Sequence, residues 1–168
     1  MTTVSAITIG ADLLAHVQAL GDALRARRWR LATAESCTGG LLAGTCTAPA
    51  GASDWFAAGF VTYANDAKSG LLGVPAALIA QHGAVSPEVA RAMARGALVQ
   101  AGVQLALAVT GIAGPGGGSA EKPAGTVFIA LASPTGVEVK KMLNPWDRET
   151  FKQVTAQQAF ELLRITLI

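Results

Sequence analysis

The sequence predicts an α/β fold, a three-layer α/β/α sandwich whose mixed sheet holds about five strands. Three observations carry this. Val103–Thr110 and Thr126–Ala132 are almost wholly apolar, as central strands covered on both faces are. Helical and strand-like stretches alternate through the first part of the chain. Near the end, Ser133-Pro134-Thr135-Gly136 reads as a turn into Val137–Met142, where Val137 and Val139 alternate with Glu138 and Lys140. That alternation marks a half-exposed strand closing an antiparallel hairpin.

The elements follow in order. Leu13, Val17, Leu20 and Leu24 recur at three- and four-residue spacing and predict a first helix over Ala11–Arg28. Its end carries Arg25, Arg27, Arg28 and Arg30, cations that suit a helix C-terminus and read as a solvated end. Leu31–Glu35 is a short strand, Ser36–Gly40 a turn, and a second helix starts at Leu41. Phe56–Tyr63, rich in aromatic and β-branched residues, is another strand. Asn65–Leu72 and Pro75–His82 are short helices. Ser86-Pro87 opens a longer one, since serine caps and proline suits the first helical position; it runs to Ala101, with Gly102 as its C′ residue. Asn144-Pro145 starts a final helix to about Leu167, with Phe151, Val154, Leu162 and Ile165 as its inward stripe.

The 168 residues suit one domain over 1–168 with its own core. Hydrophobic residues make up 51% and charged residues 14%, which argues against disorder. Thirteen basic and 11 acidic residues give a net charge of +2, too little for a broad nucleic-acid-binding face. The chain has 19 glycines and 34 alanines, which suits close helix packing. Cys37 and Cys46 are the only cysteines, too few for a disulfide framework. With neither a leader-like N-terminus nor a run of 18 apolar residues, the expectation is a cytoplasmic protein without membrane contact.

Ligand sites in such sheets lie beyond the C-terminal ends of parallel strands. That selects two loops, Glu35–Gly40 and Thr110–Gly118. In the first, Ser36 and Cys37 stand at a strand-to-helix turn whose free N–H groups can stabilise an oxyanion. The same pattern is satisfied if Ser36 or Thr38 merely caps the helix and Gly39 and Gly40 ease packing. A serine nucleophile needs a base. His16 and His82 lack an acidic partner in sequence, whereas a lysine kept neutral by burial can serve. Lys68 is that candidate, five residues after Tyr63, whose phenol could relay or orient a proton; a solvated lysine is the plain alternative. In the second loop, Gly111, Gly114 and Gly116 would let backbone N–H groups approach a phosphate, or the loop is simply flexible. Arg148 at the start of the last helix opposes the helix dipole, which hints at an anion held by its planar fork. Ser119-Ala120-Glu121-Lys122 has Ser-x-x-Lys spacing but lies in a loop and is set aside. No His, Cys, Asp and Glu cluster has metal-ligand spacing.

Five segments, in this order, resemble the CinA C-terminal-domain family, which includes nicotinamide mononucleotide amidohydrolases. They are Ala34-Glu35-Ser36-Cys37-Thr38-Gly39-Gly40, Phe60 to Lys68, His82-Gly83-Ala84-Val85-Ser86, Val109 to Pro115, and Glu121 to Val127. The resemblance spans roughly Leu13–Leu163. It implies an anticodon-binding-domain-like α/β/α fold, often dimeric, that hydrolyses the carboxamide of nicotinamide mononucleotide without a cofactor. Ser36 matches the nucleophile, Lys68 the base and Tyr63 the tyrosine beside them. Glu35, Cys37, Thr38, Gly39, Gly40, Thr110, Gly111, Gly114, Gly116 and Arg148 fall on substrate-binding segments. Trp146 stands where the family commonly has glycine, and Lys152 where arginine is common. Three other readings use the same residues: a non-catalytic pyridine-nucleotide-binding module, a cysteine amidase using Cys37, and a partner-binding domain.

Overall fold

The computed structural model describes residues 10–167; the expected absence of a leader falls on residues outside that range. In chain order the elements are α1 (Ala11–Arg27), β1 (Leu31–Glu35), α2 (Leu41–Cys46), a 3-10 turn (Ala52–Asp54), β2 (Phe56–Val61), α3 (Asn65–Leu72), α4 (Ala76–His82), α5 (Pro87–Ala101), β3 (Leu105–Gly111), β4 (Thr126–Ser133), β5 (Gly136–Leu143) and α6 (Arg148–Leu167). The five strands form one sheet in the order β2-β1-β3-β4-β5. β2, β1 and β3 run parallel, and β4 and β5 return antiparallel. This is the predicted mixed sheet, and the late hairpin pairs Ser133 with Gly136 at its turn.

The two faces of the sheet are chemically distinct. Leu105, Leu107 and Val109 of β3 and Val127, Ile129 and Leu131 of β4 pack with α1, α2 and α6. The intervening Ala106, Ala108, Ala130 and Ala132 pack with α3, α4 and α5. Alternation at period two sends the Leu, Val and Ile side chains one way and the alanines, with Phe128, the other. Each buried Leu, Ile or Val side chain contributes about 1.5–3 kcal/mol. On the alanine side little side-chain volume separates the sheet from α5, whose Ala90, Met93, Ala94 and Ala97 are fully buried. α5 also meets α3 closely: a Cβ at Gly96 would lie 2.0 Å from the Leu72 carbonyl oxygen.

Two predicted features are corrected. The last helix begins at Arg148, not at Asn144-Pro145. Asp147 caps it, accepting from the N–H groups of Glu149 and Thr150 (both 3.1 Å) and the Thr150 hydroxyl (2.6 Å). Its inward face is Phe151, Thr155, Ala156, Ala159, Phe160, Leu162, Leu163 and Leu167. Val154 is only half-buried and Ile165 is exposed. At about 100° per residue both fall outside the arc that the buried positions define. Among the described residues no helix is long and apolar enough to cross a membrane.

The topology brings one edge of the sheet together. Glu35, Val61 and Val109 lie in register near the C-terminal ends of the three parallel strands. β4 begins there, and β5 ends there, with Thr126 opposite Leu143. The N-terminus of α6 therefore arrives at the same edge as the loops after β1, β2 and β3.

Candidate active site

Glu35 organises the turn after β1. It is fully buried, and its carboxylate accepts four hydrogen bonds. Oε2 takes the Thr38 hydroxyl (2.6 Å) and the N–H groups of Gly40 (3.1 Å) and Leu42 (3.0 Å), and Oε1 takes the N–H of Ala43 (2.8 Å). The charge sits where the α2 dipole favours an anion. Gly39 (φ 62°) and Gly40 (φ 102°) supply left-handed backbone that lets the chain fold over this carboxylate. The Gly39 N–H donates to the Ser36 carbonyl and the Leu41 N–H to that of Thr38. Among the described residues, the N–H groups of Cys37 and Thr38 donate to no carbonyl, carboxylate or hydroxyl oxygen. Of these two residues, Cys37 lines the cavity over Ser36.

Ser36 is anchored to β3 by its N–H, which donates to the Val109 carbonyl at 3.0 Å. Its Oγ lies 3.0 Å from Lys68 Nζ. Lys68 comes from α3 and is only 1% exposed. Its Nζ also donates to the carbonyls of Thr62 (2.8 Å) and Tyr63 (3.3 Å). Burial lowers the Lys68 pKa from its ordinary value, against a smaller opposing effect of the Cys37 thiol. A neutral amine has two N–H donors and one lone pair. The two carbonyls can only accept, so they take the donors and leave the lone pair for the Ser36 hydroxyl.

A cavity of about 220 Å³ opens over this pair. Of the residues picked from sequence, Ser36, Cys37, Tyr63, Lys68, Thr110, Gly111 and Arg148 line it. Glu35, Thr38, Gly39, Gly40, Gly114 and Gly116 do not. Glu35 and Thr38 are committed to each other and to α2. Gly114 acts through its carbonyl, which accepts from Arg148 Nη1 at 3.0 Å, while Nη2 of the same guanidinium donates to the Tyr63 phenol at 2.9 Å. Gly116 lies on the exposed part of its loop. Thr110 holds the cavity wall, its hydroxyl donating to the Ala84 carbonyl at 2.8 Å.

Sequence reasoning missed Asn65, Ala84, Val85 and Ala113 as lining residues. Asn65 could have been found, because it follows Tyr63 within one motif and opens α3. Ala84, Val85 and Ala113 carry no chemical signature. Neither histidine lines the cavity. His82 does find an acidic neighbour that its local sequence did not suggest, Glu88 at 3.6 Å. Lys122 is spent on the His82 carbonyl at 3.0 Å, consistent with setting its Ser-x-x-Lys spacing aside. Burial pushes the Cys37 thiol up to about 12, which opposes a thiolate nucleophile. Among the described residues no group of three or more His, Cys, Asp or Glu could hold a metal ion.

A second hollow of about 380 Å³ adjoins Arg148 on its other side, lined by Leu41, Glu149, Lys152 and Gln153 as well. Arg148 and Lys152 stand one turn apart on α6 and place two cations along it.

Comparison with known proteins agrees with this architecture. Residues 14–167 match the family model described as the CinA C-terminal domain. A CinA-like protein of Geobacter sulfurreducens is 55% identical over 150 residues, covering 89% of this chain and 36% of that protein. The chain spans about a third of the length of the curated relatives it matches. The crystal structure of competence/damage inducible protein CihA from Agrobacterium tumefaciens superposes with a TM-score of 0.91 at 42% identity, covering 97% of this chain and 99% of that one. A CinA-superfamily structure from Klebsiella pneumoniae gives 0.89 at 37% identity, covering 92% and 97%.

Proposed function

The chain belongs to the CinA C-terminal-domain family, and from that premise we propose that it is an amidohydrolase acting on the carboxamide of nicotinamide mononucleotide. The observation that carries the reading is the direct 3.0 Å contact between Ser36 Oγ and a buried lysine amine whose other partners are two carbonyls. Such a pair is a nucleophile with its base.

The steps follow from this geometry. Neutral Lys68 takes the Ser36 hydroxyl proton as Oγ attacks the amide carbon. The oxyanion that forms is met by the N–H of Cys37, which lines the cavity. The C–N bond breaks, and the Lys68 ammonium passes its proton to the departing nitrogen, which leaves as ammonia. Lys68 is then neutral again and takes a proton from water, which attacks the Ser36 ester. The product acid departs and loses its carboxyl proton to solvent as nicotinate mononucleotide, and Ser36 recovers its proton from Lys68. The pyridinium ring withdraws electrons from the carboxamide and eases the first attack. A cationic ring also disfavours a charged Lys68 beside it, which keeps the base in its active form. Lys152, together with the Arg148 N–H donors not spent on Gly114 and Tyr63, suits the substrate phosphate, since both side chains are cations.

The test is conversion of nicotinamide mononucleotide to nicotinate mononucleotide with ammonia in equal amount. Binding of the nucleotide by folded protein without ammonia release would replace this reading with a non-catalytic nucleotide-binding module.

A further inference from the structure

We propose that Tyr63 is a specificity-determining residue whose ring face receives the cationic pyridinium, with Arg148 holding the ring in place. This rests on the reading of the substrate as a pyridinium nucleotide. It assigns Tyr63 a role different from moving a proton.

Three observations converge on it. First, the proton path between Ser36 and Lys68 is direct at 3.0 Å, so no relay is required. Tyr63 meets Lys68 through its backbone carbonyl at 3.3 Å, and its phenol oxygen accepts from Arg148 Nη2 at 2.9 Å. Second, Tyr63 lines the cavity yet is 61% exposed. An aromatic side chain left open to solvent at a cavity mouth has a free surface against which a ligand can lie. Third, the cavity lining contains no carboxylate. Glu35, next to Ser36, is fully buried and already accepts four hydrogen bonds; Asp66, Asp147 and Glu149, next to other lining residues, do not line this cavity.

A cationic ring entering this cavity meets Lys68 and Arg148, neither of which attracts it. Tyr63 is the one aromatic lining residue, and the negative face of its ring attracts a cation set over it. Arg148 donates at the rim of the phenol rather than needing the face. Its other terminal nitrogen, Nη1, donates to the Gly114 carbonyl at 3.0 Å. The guanidinium therefore ties the loop after β2 to the loop after β3 and sets the angle of the tyrosine between them. Discrimination would favour the positively charged pyridine nucleotide over an uncharged ring of the same shape.

The experiment compares Tyr63→Phe and Tyr63→Leu with the parent, reading kcat and KM for nicotinamide mononucleotide, and reading nucleotide binding by each in a Ser36→Ala background. The exposure of Tyr63 makes both variants compatible with folding. Tyr63→Phe keeps the face and loses only the Arg148 tether, so kcat/KM should fall about threefold, carried by KM. Tyr63→Leu loses the face, so KM and the binding constant should both weaken about tenfold or more while kcat changes less. A hundredfold loss of kcat in Tyr63→Phe with binding intact would overturn the proposal and make the phenol a proton carrier. Equal binding by the leucine and tyrosine forms would overturn it as well. An inactive parent would instead remove the substrate reading on which the proposal rests, and the parent assay separates that failure from the others.

Discussion

Replacing Glu35 with glutamine tests how the nucleophile is positioned. The carboxylate is fully buried and accepts from Thr38, Gly40, Leu42 and Ala43. The amide loses least when its nitrogen takes the place of Oε1, which serves Ala43 alone. The Ala43 N–H then faces another donor, an orphaned buried group costing about 1–3 kcal/mol. The three remaining contacts change from charge-assisted to neutral, at about 1 kcal/mol each. Relief from burying a charge offsets part of this, leaving a net loss of about 2–4 kcal/mol. For a domain of this size that corresponds to a fall in Tm of about 4–16 °C. Urea unfolding checks it, with the midpoint moving at constant m-value. Catalysis should suffer as well, because the N–H of Cys37 sits on the turn that this carboxylate holds. An unfolding midpoint and kcat both equal to those of the parent would refute the reasoning.

Lys68→Met should lower kcat by about 10²–10⁴-fold, the usual contribution of a general base, with the fold intact by circular dichroism. In the parent, kcat/KM should rise with pH through a lysine pKa displaced below its ordinary value, and the methionine variant should lack that limb. The same shift makes parent stability rise with pH between the lowered Lys68 pKa and the ordinary lysine value, because in that window the unfolded chain holds a proton that folded Lys68 sheds. Denaturation of Lys68→Met should lose that slope and show a gain over the parent that is largest at low pH. Cys37, with its thiol pushed up to about 12, should be roughly one part in 10⁴ thiolate at pH 8 and resist iodoacetamide over hours; rapid alkylation with loss of activity would revive a cysteine nucleophile. Gly96→Ala drives a Cβ to 2.0 Å from the Leu72 carbonyl oxygen and should destabilise by about 1–3 kcal/mol, measured by urea unfolding.

Much of the fold is legible in the chain because its signals are local. Leu31–Glu35, Asn65–Leu72 and the helix capped by Ser86 and ended by Gly102 fall where apolar spacing, proline and glycine place them. The start of α6 is not legible in the same way. Asn144 and Asp147 are both good capping residues, and only the fold separates them. Asn144 is buried and bonds to Thr155 at 3.1 Å and reciprocally to Gln158, which leaves the cap to Asp147. Ile165 misleads because an apolar residue near a stripe looks inward until the helix is seated. At the site, Ser36 and Lys68 are 32 positions apart in sequence and each has an ordinary alternative role. Their pairing depends on β1 and β2 lying side by side and in register. Glu35 marks the other boundary of sequence reading: the family resemblance places it among substrate-binding candidates, yet its four donors come from its own turn and the helix that follows. The alanine excess is visible in composition, but its concentration on one face of the sheet emerges only from strand register.

The central claim is that Ser36, activated by neutral Lys68, attacks a carboxamide. Ammonia release from nicotinamide mononucleotide by the parent and by Ser36→Ala, both confirmed as folded, tests it most directly. The account predicts stoichiometric ammonia from the parent and none above background from the variant. Release by Ser36→Ala at the parental rate would contradict it.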